Sequence, residues 1–452
     1  MITDVEAVLQ DGQYWPPDGE IARLTRYERE SSLFRGNHGD IFKDVLRKLS
    51  GDRKDELRMI VNFPKRISTL WADLVLIEAP DVVGADAISD YLPMLWSTVY
   101  QAIIDMSRHG VAVMKIDRVD GGAEFRMVPV RYWFPVVEPD NMLETIGHIF
   151  AYTFRDGPAQ YLRAEIHTED KIEYRTYNMT GSLSGRLMVA GSAAVEYPWS
   201  VVDGDESRVY VLHNMQSSED ILGISDYADI ESIVGEIEIR YSQIARILDA
   251  NAAPSMEGPA SALQRNPITG EQVFKGGGRY IAREPNQPET RMIEWGGNLE
   301  GAFTELEKLR NDLFTISETC AEAFGQGVGQ SGPLSGTAIR LRLLAPLAKA
   351  SRIKMFMTPR VLAMLRHVGH VIGAPVSGLV IKWKDGLPDD PIETMASLLP
   401  AYVAGGMSLE TFIRATQCLG PDEVVEEIAR IGAGSSEPTG REPLVLPPEV
   451  EL

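Results

Sequence analysis

The sequence predicts an α+β protein, and three observations carry that prediction. Residues 110–215 alternate apolar and polar side chains, are rich in Val, Tyr and Phe, and are broken by Gly and Asp turns, the pattern of a strand-rich block. Two helical stretches of about 25 residues flank a Gly-, Pro- and Asn-rich segment at 251–297. A glycine-rich loop then leads into a long basic helix, and short acidic helices follow.

Taken in order, residues 1–57 read as short helices with loops. Residues 58–79 read as a mostly buried helix begun near Pro64, with Ile67, Leu70, Trp71, Leu74 and Leu76 inward. A second helix covers about 88–108. Beyond the strand block, Ser225 is placed to cap a helix carrying Ile230, Ile233, Ile237, Tyr241, Ile244 and Leu248, which stops before Pro254. Segment 251–297 holds five acids and five bases, so it is neutral within an acidic chain.

The next helix, over 298–325, steps through Leu299, Ala302, Leu306, Leu309, Leu313, Ile316, Cys320 and Ala323 in threes and fours. That narrow stripe suits packing against neighbouring helices. Two helices of equal length, each ~37 Å long at ~1.5 Å per residue, would form a hairpin with a small module at its tip. Residues 337–372 hold seven Lys or Arg and no acid, with Pro346 and Pro359 as expected kinks. "GLVIKWKDGLP" reads as a strand and turn. Ser408 and Pro421 open the closing helices, and from Asp389 onward twelve acids face three bases. The last stretch, 435–452, reads as disordered.

The 452 residues suffice for two or more domains. A net charge of −21 argues against a protein that grips nucleic acid through many phosphate contacts, but not against one that lets DNA pass. Cys320 and Cys418 make no disulfide framework, and no signal segment or apolar span is evident.

The stretch "GQGVGQSGPLSG" at 325–336 contains Gly327, Gly329 and Gly332 at the spacing G-x-G-x-x-G. A dinucleotide cradle needs a preceding strand and an acid about 20 residues on. Here a helix precedes it, and Ala350 and Ser351 stand where the acid belongs. A nucleotide-binding enzyme using Gly327–Gly332 is therefore the alternative reading, and a flexible inter-helix loop the first. His367 and His370 lack an acid partner on their helix, so no metal is assigned; no catalytic residue or cofactor is assigned either. On the basic helix, Arg340, Arg342, Lys349 and Arg352 are candidates for contacts to phosphate or to neighbouring subunits, while solvated or acid-paired faces are the common fate of such stripes. A membrane-associated helix at 337–372 is a third reading, against which Pro346 and Pro359 interrupt the face.

Six stretches, in one order, resemble the portal proteins of tailed double-stranded DNA bacteriophages, in the branch that includes gene transfer agents. They are "RYERESSLFRGNH", "VNFPKRISTLWADLVLIEAP", "HGVAVMKIDRVDGG" with "MVPVRYWFPVVEPDN", "GISDYADIESIVGEIEIRYSQIARILDANAAP", "LSGTAIRLRLLAPLAKA" and "GGMSLETFIRATQCLGPDEVVEEIARI". The resemblance covers about residues 20 to 430. It implies a portal fold: α/β wing, two-helix stem, small α/β clip, long kinked helix and α-helical crown. The wing would occupy 1–223, the stem helices 224–250 and 298–325, the clip 251–297 and the tunnel loop 326–336. The long kinked helix and a wing strand would occupy 337–388, the crown 389–434.

The same resemblance implies a homo-dodecameric ring at one capsid vertex of the virion, assembled in the bacterial cytoplasm. Double-stranded DNA would pass through it non-specifically during packaging and ejection. The large terminase subunit, a head-tail adaptor, and the major capsid and scaffolding proteins would be its partners, with no membrane and no enzymatic activity of its own. Gln326, Gly327, Val328, Gly329, Gln330, Ser331, Gly332 and Leu334 would line the channel, and Leu306, Leu309, Leu313 and Ile316 would pack the stem.

Overall fold

A computed structural model of the chain describes residues 1–43, 59–119, 121–181, 184–196, 208–219, 221–252, 256–259, 264–265, 272–273, 280–283, 299–326, 336–384, 391–417 and 421–434. The chain is α+β and divides into two units. The first joins Met1–Gly327 to Leu343–Gly386, and the second joins Val328–Arg342 to Leu387–Leu452.

The first unit begins with α1 (Val5–Val8), β1 (Tyr14–Trp15), α2 (Asp18–Arg35), α3 (His38–Ile41) and α4 (Phe63–Val75). The Asn62 side chain accepts from the Lys65 amide at 3.0 Å and caps α4, with Pro64 in its first turn, where a missing N–H costs nothing. Next come β2 (Asp81–Val83), α5 (Leu92–His109), β3 (Val111–Val119), β4 (Gly122–Val128), β5 (Trp133–Glu138), β6 (Asn141–Asp156), β7 (Ala159–His167), β8 (Lys171–Met179), β9 (Gly185–Glu196) and β10 (Val209–His213). The helix α6 (Tyr227–Ala252) follows, then four short strands, β11 (Met256–Pro259), β12 (Gln264–Arg265), β13 (Gln272–Val273) and β14 (Tyr280–Arg283).

The unit continues through α7 (Glu300–Ile316). The second unit holds α8 (Gly336–Arg342). The chain then returns to the first unit for α9 (Leu344–Val371) and β15 (Val380–Lys382). Strand β15 pairs antiparallel with β2.

Strand alternation sorts this unit into layers. In β3, Val111 and Val113 face a core shared with Trp133 and Phe150, while Ala112, Met114 and Ile116 face the helices. β10 repeats the pattern, with Val209 and Val211 on one side and Tyr210 and Leu212 on the other. The three-stranded sheet β10-β3-β4 is thus buried on both faces, between a helical layer with α4, α5 and α9 and the antiparallel sheet β1-β9-β8-β7-β6-β5. The far face of the larger sheet carries Phe134, Val136, Ile149 and Leu162 and is covered by Ile2, Leu9, Trp15 and Leu24. The aromatic strands of 124–154 mainly build cores: Phe125, Trp133, Phe134 and Phe150 are buried.

Two sequence expectations need correction. The second long helix stops at Ile316, because Ser317 closes it and Glu318 takes a left-handed backbone (φ 58). The two long helices are therefore unequal, 26 against 17 residues. The basic helix is not continuous either: it breaks at Leu343, so Pro346 lies in the first turn of α9, and Pro359 alone is interior.

In the second unit, α8 is accompanied by α10 (Pro391–Val403), α11 (Leu409–Gln417) and α12 (Pro421–Gly434). Ser408 Oγ accepts from the Thr411 amide at 3.2 Å, and Tyr402 stacks on Phe412 at 4.7 Å. Residues 435–452, expected to be disordered, lie outside the described residues. Among the described residues, no helix is long and apolar enough to cross a membrane.

Candidate stem hairpin and its root

Helices α6 and α7 pair antiparallel, and two contacts fix that direction. Near the middle, Arg240 Nε donates to Glu305 Oε1 at 3.1 Å. At one end, Lys349 Nζ lies 2.8 Å from Asp226 and 3.7 Å from Glu318. Moving up α6 from 226 to 240 therefore matches moving back along the chain from 318 to 305. Leu306 and Leu313 are buried in this seam and Leu309 is packed against it, while Ile316, at the end of α7, is 47% exposed. The outer face of α7 presents Glu300, Glu307 and Asp312 beside Lys308, so it is acidic.

The base of the hairpin is built from α5 outward. Gly110 ends that helix in a left-handed conformation, and a Cβ there would meet the Gly223 carbonyl at 2.6 Å. Gly223 meets Gly110 as closely in return. This approach brings the start of α6 onto the free carbonyls of α5. Ser225 Oγ donates to the Arg108 carbonyl at 2.6 Å, and the Asp226 amide donates to the Ser107 carbonyl at 2.9 Å. Ser225 Oγ also accepts from the Tyr227 amide, so one hydroxyl serves both helices.

Asp226 is the hub. Its carboxylate accepts from Ser107 Oγ at 2.6 Å, Asn214 Nδ2 at 2.7 Å and Lys349 Nζ at 2.8 Å. Ser107 Oγ lies 2.9 Å from Ser68 Oγ, which lies 2.8 Å from the Tyr227 hydroxyl; Tyr227 in turn donates to the Pro64 carbonyl. The ammonium of Lys349 also sits 4.5 Å from the centre of the Trp71 ring. A buried charge in such a place must be paired and hydrogen-bonded, and this one is.

The expected site residues separate on this geometry. Lys349, offered as a phosphate or inter-subunit contact, is 6% exposed and turned into the root, so it belongs to the interior of the fold. Arg352 is half-exposed and donates to Glu318 Oε2 at 2.5 Å. Arg340 and Arg342 are exposed on α8. Gln326 accepts from Arg310 through its side-chain carbonyl. Gly327, Val328, Gly329, Gln330, Ser331, Gly332 and Leu334 lie outside the described residues, as does most of 251–297. What precedes the glycine stretch is a single helical turn at Glu322–Phe324, not the strand that a dinucleotide cradle requires.

Sequence reasoning missed Asp226, Glu318, Ser107 and Asn214. Asp226 had a signal, an acid beside the Ser225 cap. Ser107, Asn214 and Glu318 had none, because their role exists only once three distant segments meet.

No family model matches the chain, and no curated protein matches it. Among solved structures it is similar to chains of gene transfer agent particles. One comes from the neck of an empty particle computed with C6 symmetry, at 16% identity over 83% of this chain and 94% of that one, TM-score 0.41. A second comes from the neck of a native particle computed with C12 symmetry, at 15% identity over 77% and 87%, TM-score 0.38. A third, from the virion of a native particle, has 14% identity over 92% and 98%, TM-score 0.37.

Proposed function

We propose that the chain is the subunit of a portal ring in a phage-like particle, through which double-stranded DNA is packaged and ejected. The observation that carries this reading is the antiparallel hairpin of α6 and α7. It is rooted in an α+β body, interrupted at its tip by a stretch with short strands, and followed by a long helix and a helical end. That order of parts agrees with the order of the six sequence stretches that resemble portal proteins.

On this reading the hairpins stand side by side around a channel. Residues 251–297 dock the terminase motor and later the head-tail adaptor, and 389–434 face the capsid interior. Net negative charge suits the task, because a lumen that bound phosphates tightly would stall DNA moving through it. The energy of translocation comes from the partner motor.

The test is the native mass of the purified chain, with negative-stain images of the same sample. A species of about 600 kDa, twelve times 50.0 kDa, with a central hole is expected. A one- or two-subunit species that binds a dinucleotide would overturn the reading in favour of the enzyme.

A further inference from the structure

The turn after α7 is compact and strained at one residue. Ser317 N donates to the Leu313 carbonyl at 2.9 Å and Thr319 N to the Phe314 carbonyl at 2.8 Å. Between them Glu318 has φ 58, and among the described residues no other non-glycine has positive φ. A side chain there is disfavoured unless its surroundings hold it. The turn then folds back: Phe324 stacks on Phe314 with ring centres 5.5 Å apart, and Gln326 N donates to the Ala321 carbonyl at 3.0 Å.

Two cations hold Glu318, and they differ in exposure. Arg352 reaches Oε2 at 2.5 Å and Lys349 reaches the same oxygen at 3.7 Å. The Lys349–Asp226 pair is buried, with both side chains 7% exposed, whereas Arg352 and Glu318 are 37% and 40% exposed. Solvent and salt reach the outer pair and not the inner one.

We propose that Arg352 and Glu318 form a salt-releasable latch that holds the turn Ser317–Gln326 closed on the hairpin root, while Lys349–Asp226 keeps the root itself shut. Closed, the latch keeps Glu318 in its left-handed conformation. Open, the carboxylate leaves Arg352, and the turn relaxes without unseating α6. This inference goes beyond the portal reading and stands without it.

Amide exchange of the full-length chain, followed by mass spectrometry at neutral pH, tests the latch. Arg352→Ala is expected to speed exchange across 317–326 about fivefold, the effect of one half-exposed charge-assisted bond. Peptides from α6 should be unchanged. In 1 M NaCl the wild-type turn should speed up comparably and the variant should not. Glu318→Gly and Glu318→Ala both remove the carboxylate, but only glycine accepts the positive φ freely, so the glycine variant should exchange more slowly. Unchanged exchange in Arg352→Ala, or acceleration that spreads into α6, would overturn the latch. Equal rates in the two Glu318 variants would overturn the part played by strain.

Discussion

His38 Nδ1 lies 2.6 Å from Glu238, and His109 Nδ1 lies 2.8 Å from Glu30; both pairs are buried where N-terminal elements meet α5 and α6. Their charge states nevertheless differ. His38 Nε2 faces the Leu33 carbonyl at 2.8 Å, so both ring nitrogens have acceptors and both need a proton. Burial alone would lower this imidazole, but the hydrogen bonds to Glu238 and Leu33 outweigh it and raise its pKa. Around the second pair, burial drives His109 down to about 2, helped by Arg108 and Arg26. Burial also pushes Glu30 up to about 8 against the pull of Arg26. Both shifts favour the uncharged forms of the second pair, with the shared proton on the carboxyl rather than as a second proton on the imidazole. Distance between partners does not decide the charge state; at the second pair burial outweighs the contact, and at the first the two hydrogen bonds outweigh burial.

The largest effect that would break this comparison comes from Glu238→Gln. Glu238 is fully buried and also accepts from the Val61 amide at 3.0 Å. Losing its charge strands an imidazolium in the core or forces it to give up a proton. A loss of about 3 kcal/mol in urea unfolding is expected, as for a broken buried pair. Glu30→Gln replaces a neutral acid with a neutral amide, so its cost at neutral pH should stay below ~1 kcal/mol. Similar losses in the two variants would mean that the pairs share one charge state.

Proton linkage sharpens the contrast. A raised native pKa stabilises at low pH and is lost as pH rises through it. For Glu30 the window runs from its ordinary 4.5 to about 8. Glu30→Gln should therefore gain on the wild type as pH is raised across that window, read from urea midpoints at pH 5 and 8. Histidines with lowered values act in the opposite sense. Burial takes His109 to about 2, His148 to about 3, and His213 and His367 to about 4. Their contribution is present above 6.5 and lost as pH falls, so the whole chain should weaken steadily from pH 6.5 towards 4. Stability that held constant across that range would show these imidazoles already charged in the fold.

The layered body and the hairpin were legible in the sequence because their signals are local and repeated. Alternation marks β3 to β10, and Ser225 with the Ile230, Ile237 and Ile244 stripe marks α6. The end of α7 was not legible: "FTISETCAEAF" keeps helical periodicity past Ile316, and Glu318 turns left-handed in a setting that Lys349 and Arg352 supply from a later helix. Lys349 misled for the same reason. On a helical wheel it joins a basic stripe, but its partner Asp226 is remote in sequence, and only the folded root removes it from the surface.

The smallest effect should come from the pair formed by the neighbour of Glu30 on α2. Arg29 donates from Nε to both oxygens of Glu231, at 2.8 and 3.0 Å, and from its terminal nitrogen as well. That fork joins α2 to α6 through several hydrogen bonds, where each buried pair has one between its partners. Arg29 is, however, 49% exposed and Glu231 26% exposed, so water solvates both charges when they part. Arg29→Ala should cost no more than ~0.5 kcal/mol, and the cost should shrink further in 1 M NaCl. Urea unfolding of wild type and variant at low and high salt reads both quantities. A loss as large as that of Glu238→Gln would mean that fork geometry, rather than exclusion of water, fixes how strongly an ion pair holds α6 to the body.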